Sequence, residues 1–474
     1  MNSLTYEHVI VGSGFVGTEI ALFLQHSHLD FLILEPSVQG QSAFSYSSTD
    51  GVFDPNLAQR TIGLGGGANV WGNGLCLPTV ENFFGDNSQS NWHRLSTKFT
   101  ANDLENLLSR HPRSAFRYKK RVLRIFNRLL NGDNYLIEKH AYAGGVFGSS
   151  GWKDRSIRLI ENGARECKIL SVKYDLLSQF WKLTIEDTNK VQTIIFTKRV
   201  IFAAGTLMNA FLVHLATGQD RFTVGSHFSA VVGEVRLNRP QKIENFLQTW
   251  NKNEKEFATV SLLNEFRLAH SIPHSAIRFH PISETQLKAR WKEVQRRPSL
   301  LLFISFLHEV AYNLFTQKSF YDQFQIHLLV DVPLSLENFI EFNSSENRTA
   351  QINLQHTNSS IRGARILLEK IFKSMSESRT CESVKIQCVL DGNFDEAKYR
   401  AMDWLDTAHY FGTVPMSDNN QQGTVNEFFE LNGSEGIFVL GNSSFPTGSH
   451  SHPTLLTVLL AKIFCRDTLG FRIK

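Results

Sequence analysis

The sequence predicts an α/β fold, with α+β character overall, in at least two domains. The chain has 474 residues, of which 42% are hydrophobic, and this is enough to bury more than one core. Strand-like and helical segments alternate around glycine turns near both ends of the chain. Between them, residues 231–395 are poor in glycine turns and mix strand-like with helical segments, which favours a second domain.

Residues 6–35 have the order of a parallel βαβ unit: a strand over 6–11, a glycine turn over 12–17, a helix over roughly 16–24 and a strand over 31–34 that ends at Glu35. Gly12 permits the tight turn, Gly14 lets the backbone approach a pyrophosphate, and Gly17 allows helix and strand to pack closely. Glu35 can accept hydrogen bonds from ribose hydroxyls. This order predicts a Rossmann-like domain that binds a dinucleotide. The alternative is a glycine-rich turn in another α/β fold.

A second glycine-rich segment covers residues 62–74, IGLGGGANVWGNG. It has little propensity for helix or strand, and its backbone can lie against a flat or phosphorylated ligand. A flexible linker, which is the alternative, would be rich in Ser and Thr and would lack the embedded Trp71. We therefore expect ligand contact in this segment.

Residues 166–202 alternate apolar and polar side chains over several short segments, which predicts a small antiparallel sheet. Its last part continues into VIFAAGTLMNAFLVHL at residues 200–215, which predicts a buried strand, a turn and a helix. Gly205 in this turn allows close approach to the backbone, so the turn is a candidate second contact with the same ligand. The alternative is a plain strand–helix junction.

We expect the nucleotide-binding domain to be discontinuous and to consist of residues 1–80, 151–230 and 400–474. A substrate-binding or cap domain is expected from residues 81–150 and 231–399. These contain segments typical of a short helix, a strand and a longer helix, at residues 103–110, 325–330 and 361–375.

Residues 288–297, KARWKEVQRR, are basic and precede a largely apolar segment at residues 300–315 that contains His308 and Glu309. The apolar segment is too short and too polar to span a bilayer. A basic segment followed by an apolar helix can lie on a membrane surface, so peripheral membrane contact through residues 288–315 is one expectation. The alternative, which is more common, is a helix packed inside the substrate domain.

Composition excludes several classes of function. The net charge is +4, from 49 basic and 45 acidic residues, which gives no field suited to nucleic acid. The five cysteines are odd in number and form no C-x-x-C pair, which argues against a disulfide framework. The N-terminus lacks the basic region, long apolar region and cleavage site of a signal peptide, so we expect a cytoplasmic protein, or one that contacts a membrane from the cytoplasm.

The C-terminal part places histidines in two glycine-bearing loops. His409 lies in the first loop, and His450 and His452 lie in the second, residues 440–461, where Pro453 is expected to open an apolar helix with His452 at or near its N-cap. Helix N-termini favour a neighbouring anion, and imidazole is a base near neutral pH. The alternatives are structural histidines and a metal site with H-x-H spacing, although no carboxylate or cysteine is spaced to complete such a site.

Taken together, these motifs resemble, in chain order, the glucose-methanol-choline (GMC) family of FAD-dependent oxidoreductases. The resemblance lies in the βαβ unit with its terminal glutamate, GLGGGANVWG, VIFAAGT, Val224-Gly225, HYFGTVPM at residues 409–416 and SSFPTGSHSHPTLLTVLLA at residues 443–461. In this family FAD lies along the βαβ unit, and the C-terminal loops present a His/His or His/Asn pair to the flavin. The resemblance therefore implies His409 and His452 as the catalytic residues.

The resemblance also implies FAD as the cofactor, bound without a covalent link, because no residue matches the histidine through which some members attach flavin. The implied cofactor contacts are Gly12, Gly14, Phe15, Val16, Gly17, Glu35, Gly66, Gly67, Asn69, Trp71, Gly72, Val172, Ala204, Gly205, Gly441, Asn442, His452, Pro453 and Thr454. Gly441 stands where many members have Asp, and Trp71 stands where many have Asn. Both variants resemble the sugar and sugar-acid dehydrogenase side of the family, so oxygen is not assumed to be the electron acceptor.

The activity implied is oxidation of an alcohol to a carbonyl on a sugar-like or hydroxylated metabolite. A neutral imidazole takes the hydroxyl proton while the carbinol hydride goes to flavin N5. The resemblance favours His409 as the base, with His452 bonded to the substrate oxygen, and the reverse assignment stays open. The electron acceptor is oxygen, a quinone or a protein. The alternatives are another flavin or nicotinamide oxidoreductase and a non-catalytic FAD-binding protein.

Overall fold

The computed structural model describes residues 2–38, 41–42, 45–54, 74–75, 83, 89–99, 130, 135–142, 164–238, 250–251, 254–281, 303–304, 307, 323–343 and 349–470. The helices are α1 (Phe15–His26), α2 (Asn91–Lys98), α3 (Thr206–Thr217), α4 (Asn264–Ala269), α5 (Asn358–Ser376), α6 (Glu396–Arg400) and α7 (Thr454–Ile463). A 3-10 turn, Asn442–Ser444, precedes α7, and a π-helical turn, Phe464–Thr468, follows it.

The strands before residue 203 are β1 (Asn2–Val11), β2 (Phe31–Glu35), β3 (Ser37–Val38), β4 (Gln41–Ser42), β5 (Ser45–Gly51), β6 (Gly74–Leu75), β7 (Tyr135–Tyr142), β8 (Arg165–Glu166), β9 (Lys168–Asp175), β10 (Phe180–Glu186) and β11 (Gln192–Phe202). The strands after it are β12 (Arg221–Thr223), β13 (Ser226–Leu237), β14 (Trp250–Asn251), β15 (Glu254–Leu262), β16 (Ser275–Pro281), β17 (Gln323–Val332), β18 (Phe339–Phe342), β19 (Thr349–Leu354), β20 (Cys381–Ile386), β21 (Val389–Leu390), β22 (Asn393–Phe394), β23 (Leu405–Asp406) and β24 (Ile437–Val439).

The first sheet contains the βαβ unit. Its strand order is β8-β2-β1-β11-β10-β9, and β24 pairs in parallel with the C-terminal end of β11. β1 pairs in parallel with β2 on one side and with β11 on the other, while α1 connects β1 to β2. The strand order therefore reverses at β1, and α/β sheets bind their ligands at such a switch point.

One long strand joins this parallel core to an antiparallel extension. The N-terminal half of β11 pairs with β10, and residues 200–202 pair with β24. In β10 the side chains of Trp181, Leu183 and Ile185 are buried and alternate with more exposed neighbours, as expected for a sheet with one covered face.

The second sheet is antiparallel, with the order β22-β21-β20-β13-β17-β16-β15-β7-β6. The helix α5 covers one face, and its buried side chains recur at helical spacing. Alternate side chains of β17, including Ile326 and Leu328, belong to the same apolar cluster as those of α5. Asp331 has the opposite parity on β17 and pairs in register with His227 of β13, so these two residues lie on the face away from α5.

A third sheet, β12-β18-β19-β5, lies against α3. Its Phe342 packs against Phe211 of that helix, with ring centroids 5.6 Å apart. Both residues belong to the same apolar cluster as the buried side chains of the first sheet, so the third sheet extends the core around the first sheet.

The predicted α/β class with a Rossmann-like domain is confirmed. The predicted strand at 6–11 begins earlier, at Asn2, because it pairs with β11 from Thr193 onward. The predicted short helix at 103–110 lies outside the described residues, as does most of 288–315. No helix in the described part of the chain is long and apolar enough to cross a membrane. The domain boundaries and the membrane contact stay predictions.

Candidate active site

The strands β1, β11 and β24 end at the same edge of the first sheet. The register pairs Val11 with Phe202 and Phe202 with Val439, so the turns that follow these strands are neighbours. Several predicted cofactor-binding residues occupy these turns: Gly12, Gly14, Ala204, Gly205, Gly441 and Asn442. This carboxyl edge is where open α/β sheets place a nucleotide.

Gly12 is required by the close approach of two turns. Its φ of +110° is unfavourable for other residues, and a Cβ there would lie 2.4 Å from the carbonyl oxygen of Ala203. A Cβ on Gly17 would lie 1.9 Å from the carbonyl oxygen of Gly12. The turn and the first helical residues therefore pack with backbone against backbone.

Glu35 ends β2 beside this turn and is almost fully buried. Its Oε2 accepts hydrogen bonds from the backbone N–H of Ser13 at 3.0 Å and from the Ser13 hydroxyl at 2.6 Å. Burial raises the pKa of Glu35 to about 7, and the two bonds from Ser13 oppose this rise. The carboxyl group is thus held in place by Ser13 beside the glycine turn.

Asn209 connects two of the turns at the carboxyl edge. It is fully buried in α3, and its Oδ1 accepts from the backbone N–H of Ala204 at 2.9 Å. Its Nδ2 donates to the carbonyl of Leu440 at 2.9 Å and to the hydroxyl of Ser443 at 2.8 Å. One side chain therefore fixes the end of β11 against the loop after β24. The sequence patterns do not predict a role for Asn209.

The two C-terminal loops lie side by side. The backbone N–H groups of Gly412, Val414 and Met416 donate to three successive carbonyls at residues 442–444, each at 2.9 Å. This pairing brings the rings of His409 and His452 to a centroid distance of 5.4 Å, with their planes at 75°. The two predicted catalytic histidines are therefore neighbours in space.

The helix after His452 begins at Thr454, with Pro453 at the N-cap instead of the first helical position. The Pro453 carbonyl accepts from the Thr457 backbone N–H at 2.9 Å. The Thr457 hydroxyl donates to Oδ1 of Asn442 at 2.7 Å. His452 thus directly precedes the N-terminus of an apolar buried helix, and that N-terminus is tied to the loop after β24.

His409 is partly buried, and its Nδ1 has two hydrogen-bonding neighbours. Its Nδ1 lies 2.9 Å from Nε2 of His227 and 3.2 Å from Oγ1 of Thr407. Burial among protein groups and, to a smaller extent, the positive charge of Arg278 lower the pKa of His409 to about 4. His409 is therefore neutral at physiological pH.

His227 is a member of the site that sequence analysis missed. It lies at the start of β13, and the chain pairs with the His409 loop on both sides of it: Gly225, just before β13, pairs with Phe411, and Phe228 pairs with Asp406. His227 is buried, and its Nδ1 lies 3.0 Å from the carbonyl oxygen of Ser449. The one feature of the sequence that could have pointed to His227 is its position shortly after the Val224-Gly225 motif.

His450 and His452 have different neighbours despite their close spacing in sequence. The ring of His450 is fully buried and lies 5.6 Å from that of His274. His452 contacts His409 instead. Within the described ranges, no group of three or more His, Cys, Asp or Glu residues could hold a metal ion.

The other predicted cofactor contacts are distributed as follows. Phe15, Val16 and Gly17 lie in the first turn of α1, and a Cβ on Gly441 would lie 3.9 Å from Cγ2 of Val16. Val172 is fully buried in β9, in the antiparallel extension. The glycine-run contacts lie outside the described residues: Gly66, Gly67, Asn69, Trp71 and Gly72.

Comparisons with known proteins agree with this architecture. The model of a family described as GMC oxidoreductase matches residues 335–461, which include both histidine loops. No curated protein sequence matches the chain. The structure of pyridoxine 4-oxidase from Mesorbium loti is similar over 99% of this chain and 100% of its own, with a TM-score of 0.60 and 12% identity. The Aspergillus oryzae RIB40 formate oxidase, solved to study the effect of a mutation on FAD modification, is similar over 98% of both chains, with a TM-score of 0.56 and 14% identity.

At such low identity the two structures show the fold, which this chain shares over nearly its whole length. The family match adds sequence similarity in the part that carries His409 and His452. The chain is thus similar in sequence to GMC oxidoreductases over residues 335–461 and similar in fold to the two oxidases over nearly its whole length.

Proposed function

We propose that this protein is a GMC-type, FAD-dependent enzyme that oxidises an alcohol to a carbonyl. The observation that carries the proposal is the His409–His452 pair, with ring centroids 5.4 Å apart, in loops that continue from the carboxyl edge of the first sheet. The sequence similarity over residues 335–461 supports it independently.

The carboxyl edge fits a dinucleotide cofactor. The Gly12 turn and the N-terminus of α1 would hold the pyrophosphate, and Glu35 would hold the ribose. A Cβ on Gly205 would meet no described atom within 4 Å, so the backbone of that turn is open to a ligand. FAD, when bound, supplies a flavin ring that accepts two electrons as a hydride.

His409 is the residue that we assign as the base. Because its pKa is lowered to about 4, the ring holds a lone pair at physiological pH and can accept the substrate hydroxyl proton. An imidazole of such low basicity does not remove an alcohol proton alone, so proton transfer accompanies the loss of hydrogen from the carbinol carbon. In this proposal His409 is the acceptor of that proton.

His452 is assigned to hold the substrate oxygen. It directly precedes α7, whose first amides have no partner within the helix and favour negative charge nearby. Charge that develops on the substrate oxygen as it loses its proton would be stabilised at this position. In this proposal His409 accepts the proton and His452 stabilises the substrate oxygen.

The finer assignments are part of the same proposal. The substrate is a sugar-like or hydroxylated metabolite, FAD is bound without a covalent link, and the enzyme is cytoplasmic, with residues 288–315 available for peripheral membrane contact. Gly441 and Trp71 support the sugar and sugar-acid dehydrogenase side of the family, and the acceptor is oxygen, a quinone or a protein.

The first test is anaerobic reduction of the flavin. The purified protein is expected to be yellow, to release FAD on denaturation, and to bleach with one member of a panel of sugars, aminosugars, hydroxylated secondary metabolites, pyridoxine and formate. The last two are included because the structurally similar proteins are named for them. A flavoprotein that no alcohol reduces would contradict alcohol oxidation, and a protein without flavin absorbance would contradict the cofactor.

The second test is His409→Ala. Removal of a general base slows flavin reduction by on the order of 10²-fold or more, with FAD still bound. His214→Ala is the matched control, because His214 is also partly exposed but lies at the end of α3 beside Phe342. An unchanged reduction rate in His409→Ala would remove the assignment.

A further inference from the structure

His227 connects the Ser449 carbonyl to His409 by two hydrogen bonds. Its Nδ1 lies 3.0 Å from the carbonyl oxygen of Ser449, and its Nε2 lies 2.9 Å from Nδ1 of His409. A carbonyl oxygen has no hydrogen to give, so Nδ1 of His227 must be the donor in the first bond. Burial lowers the pKa of His227 well below its usual value, and His409 and Arg278 lower it further. His227 is therefore neutral, and its Nε2 can only accept.

The second neighbour of His409 leads to the same conclusion. The Thr407 hydroxyl lies 3.2 Å from Nδ1 of His409 and 2.6 Å from the carbonyl oxygen of His227. Its single hydrogen is donated to that carbonyl, so the hydroxyl can only accept from His409. Both neighbours of Nδ1 in His409 are acceptors, which places the proton of the neutral ring on Nδ1.

We propose that His227 is a positioning residue that holds neutral His409 as the Nδ1–H tautomer, so that the lone pair lies on Nε2. The proposal rests on the function proposed above, because it assigns Nε2 of His409 as the atom that accepts the substrate proton. A neutral imidazole in water exchanges between two tautomers, and the hydrogen bond at one nitrogen decides which nitrogen is free. A base held in place by a third group is a recurrent arrangement in enzymes.

The backbone explains why this arrangement is fixed. Gly225 pairs with Phe411, and Phe228 pairs with Asp406, so β13 and the His409 loop are aligned on both sides of the contact. A Cβ on Gly225 would lie 2.3 Å from the Phe411 ring, so this approach needs glycine. His227 and His409 therefore meet through backbone register, and the Ser449 carbonyl sets the direction of the hydrogen bonds.

The test measures the tautomer directly. In protein labelled with ¹⁵N-histidine, the cross-peaks of His409 are identified by their loss in His409→Asn. The expected pattern is a protonated, pyrrole-like Nδ1 and an unprotonated, pyridine-like Nε2 at neutral pH. His227→Phe removes the nearer of the two acceptors and leaves only the Thr407 hydroxyl, at 3.2 Å, so the pattern is expected to shift partly toward the other tautomer. His227→Gln can present an oxygen to Nδ1 and is expected to keep it.

Kinetics separate positioning from general damage. His227→Phe is expected to slow flavin reduction by about 10-fold or more with FAD content unchanged, as for other residues that orient a functional histidine, and His227→Gln to restore most of the rate. Thr407 still accepts from Nδ1 in His227→Phe, which keeps the loss below that of His409→Ala. His356→Phe is the control for loss of a histidine from the protein interior, since the partly buried ring of His356 contacts Tyr399 and Trp404 instead of His409.

The outcomes distinguish this inference from the proposed function. A wild-type His409 with its proton on Nε2, or an unchanged pattern in His227→Phe, overturns the inference even if alcohols reduce the flavin. Equal losses of rate in His227→Phe and His227→Gln, with the tautomer unchanged, also overturn it. If the Nδ1–H tautomer depends on His227 but no alcohol reduces the flavin, the tautomer assignment stands and the proposed function fails.

Discussion

Asn209→Leu should weaken FAD binding as well as the fold. Asn209 is fully buried and makes hydrogen bonds to Ala204, Leu440 and Ser443, all at the carboxyl edge of the first sheet. Leucine has similar size but makes none of these bonds, so the backbone groups of two turns lose their partner. At about 1 kcal/mol for each bond, the loss in the free energy of unfolding is about 3 kcal/mol.

The matched control is Asn338→Leu. Asn338 is also fully buried, and it donates to the Gln355 carbonyl at 3.1 Å and accepts from the Gln355 backbone N–H at 2.9 Å. At about 1 kcal/mol for each bond, loss of these two bonds lowers the free energy of unfolding by about 2 kcal/mol. Its partner follows β19 in the third sheet, whereas the partners of Asn209 lie in the cofactor turns. The two variants thus lose comparable stability in different places.

The assay is FAD titration of the apoprotein at a temperature where wild type and both variants are folded, together with urea unfolding. In Asn209→Leu the two turns must be ordered when FAD binds. If this ordering costs about 1.4 kcal/mol, the Kd for FAD rises about 10-fold. In Asn338→Leu it should stay within about 2-fold of wild type. Equal Kd values for the two variants would refute the view that Asn209 organises the cofactor site.

Two other predictions concern the same part of the chain. Gly12→Ala should abolish FAD binding, because its Cβ would lie 2.4 Å from the Ala203 carbonyl oxygen. The control Gly218→Ala, with φ +75° and no described atom within 4 Å, should cost only about 1 kcal/mol of stability and keep FAD. FAD content and urea unfolding check both variants, and a Gly12→Ala protein that still binds FAD would contradict the role of the Gly12 turn. The fold raises the pKa of Glu35 from 4.5 to about 7. Between these two pH values the folded protein holds a proton on Glu35 that the unfolded chain has lost, so the stability of the wild type falls as the pH rises through this range. Relative to wild type, apoprotein Glu35→Gln should therefore gain on the order of 2–3 kcal/mol between pH 4 and pH 8, and parallel stability curves would contradict the buried carboxyl.

Local sequence patterns predict the elements whose partners are close in the chain. The βαβ unit can be read from residues 6–35 because strand, turn and helix lie within one short segment. Glycine-bearing loops draw attention to His409, His450 and His452, and the resemblance to the GMC family selects His409 and His452 among them. The start of β1 at Asn2 could not be predicted, because the pairing that extends it comes from β11.

Residues whose role depends on distant partners carry no such local pattern. Asn209 sits in an apolar helix, and its partners Leu440 and Ser443 are 231 and 234 residues away. His227 looks like an ordinary polar residue of a strand, and its partner His409 is 182 residues away. Their importance follows from strand register and loop pairing, which the amino-acid sequence fixes only through the whole fold.

The loop of residues 445–452 acts on both histidines of the pair. It carries His452 directly, and its Ser449 carbonyl sets the donor nitrogen of His227, which bonds to His409. A Cβ on the neighbouring Gly448 would lie 2.3 Å from the Phe411 ring, in the segment that carries His409. The loop is therefore packed against that segment. A movement of the loop would change the position of His452 and, through Ser449 and His227, the hydrogen bond at Nδ1 of His409. In the proposed mechanism these two histidines are the base and the group that holds the substrate oxygen, so a change in the loop should alter both functions together.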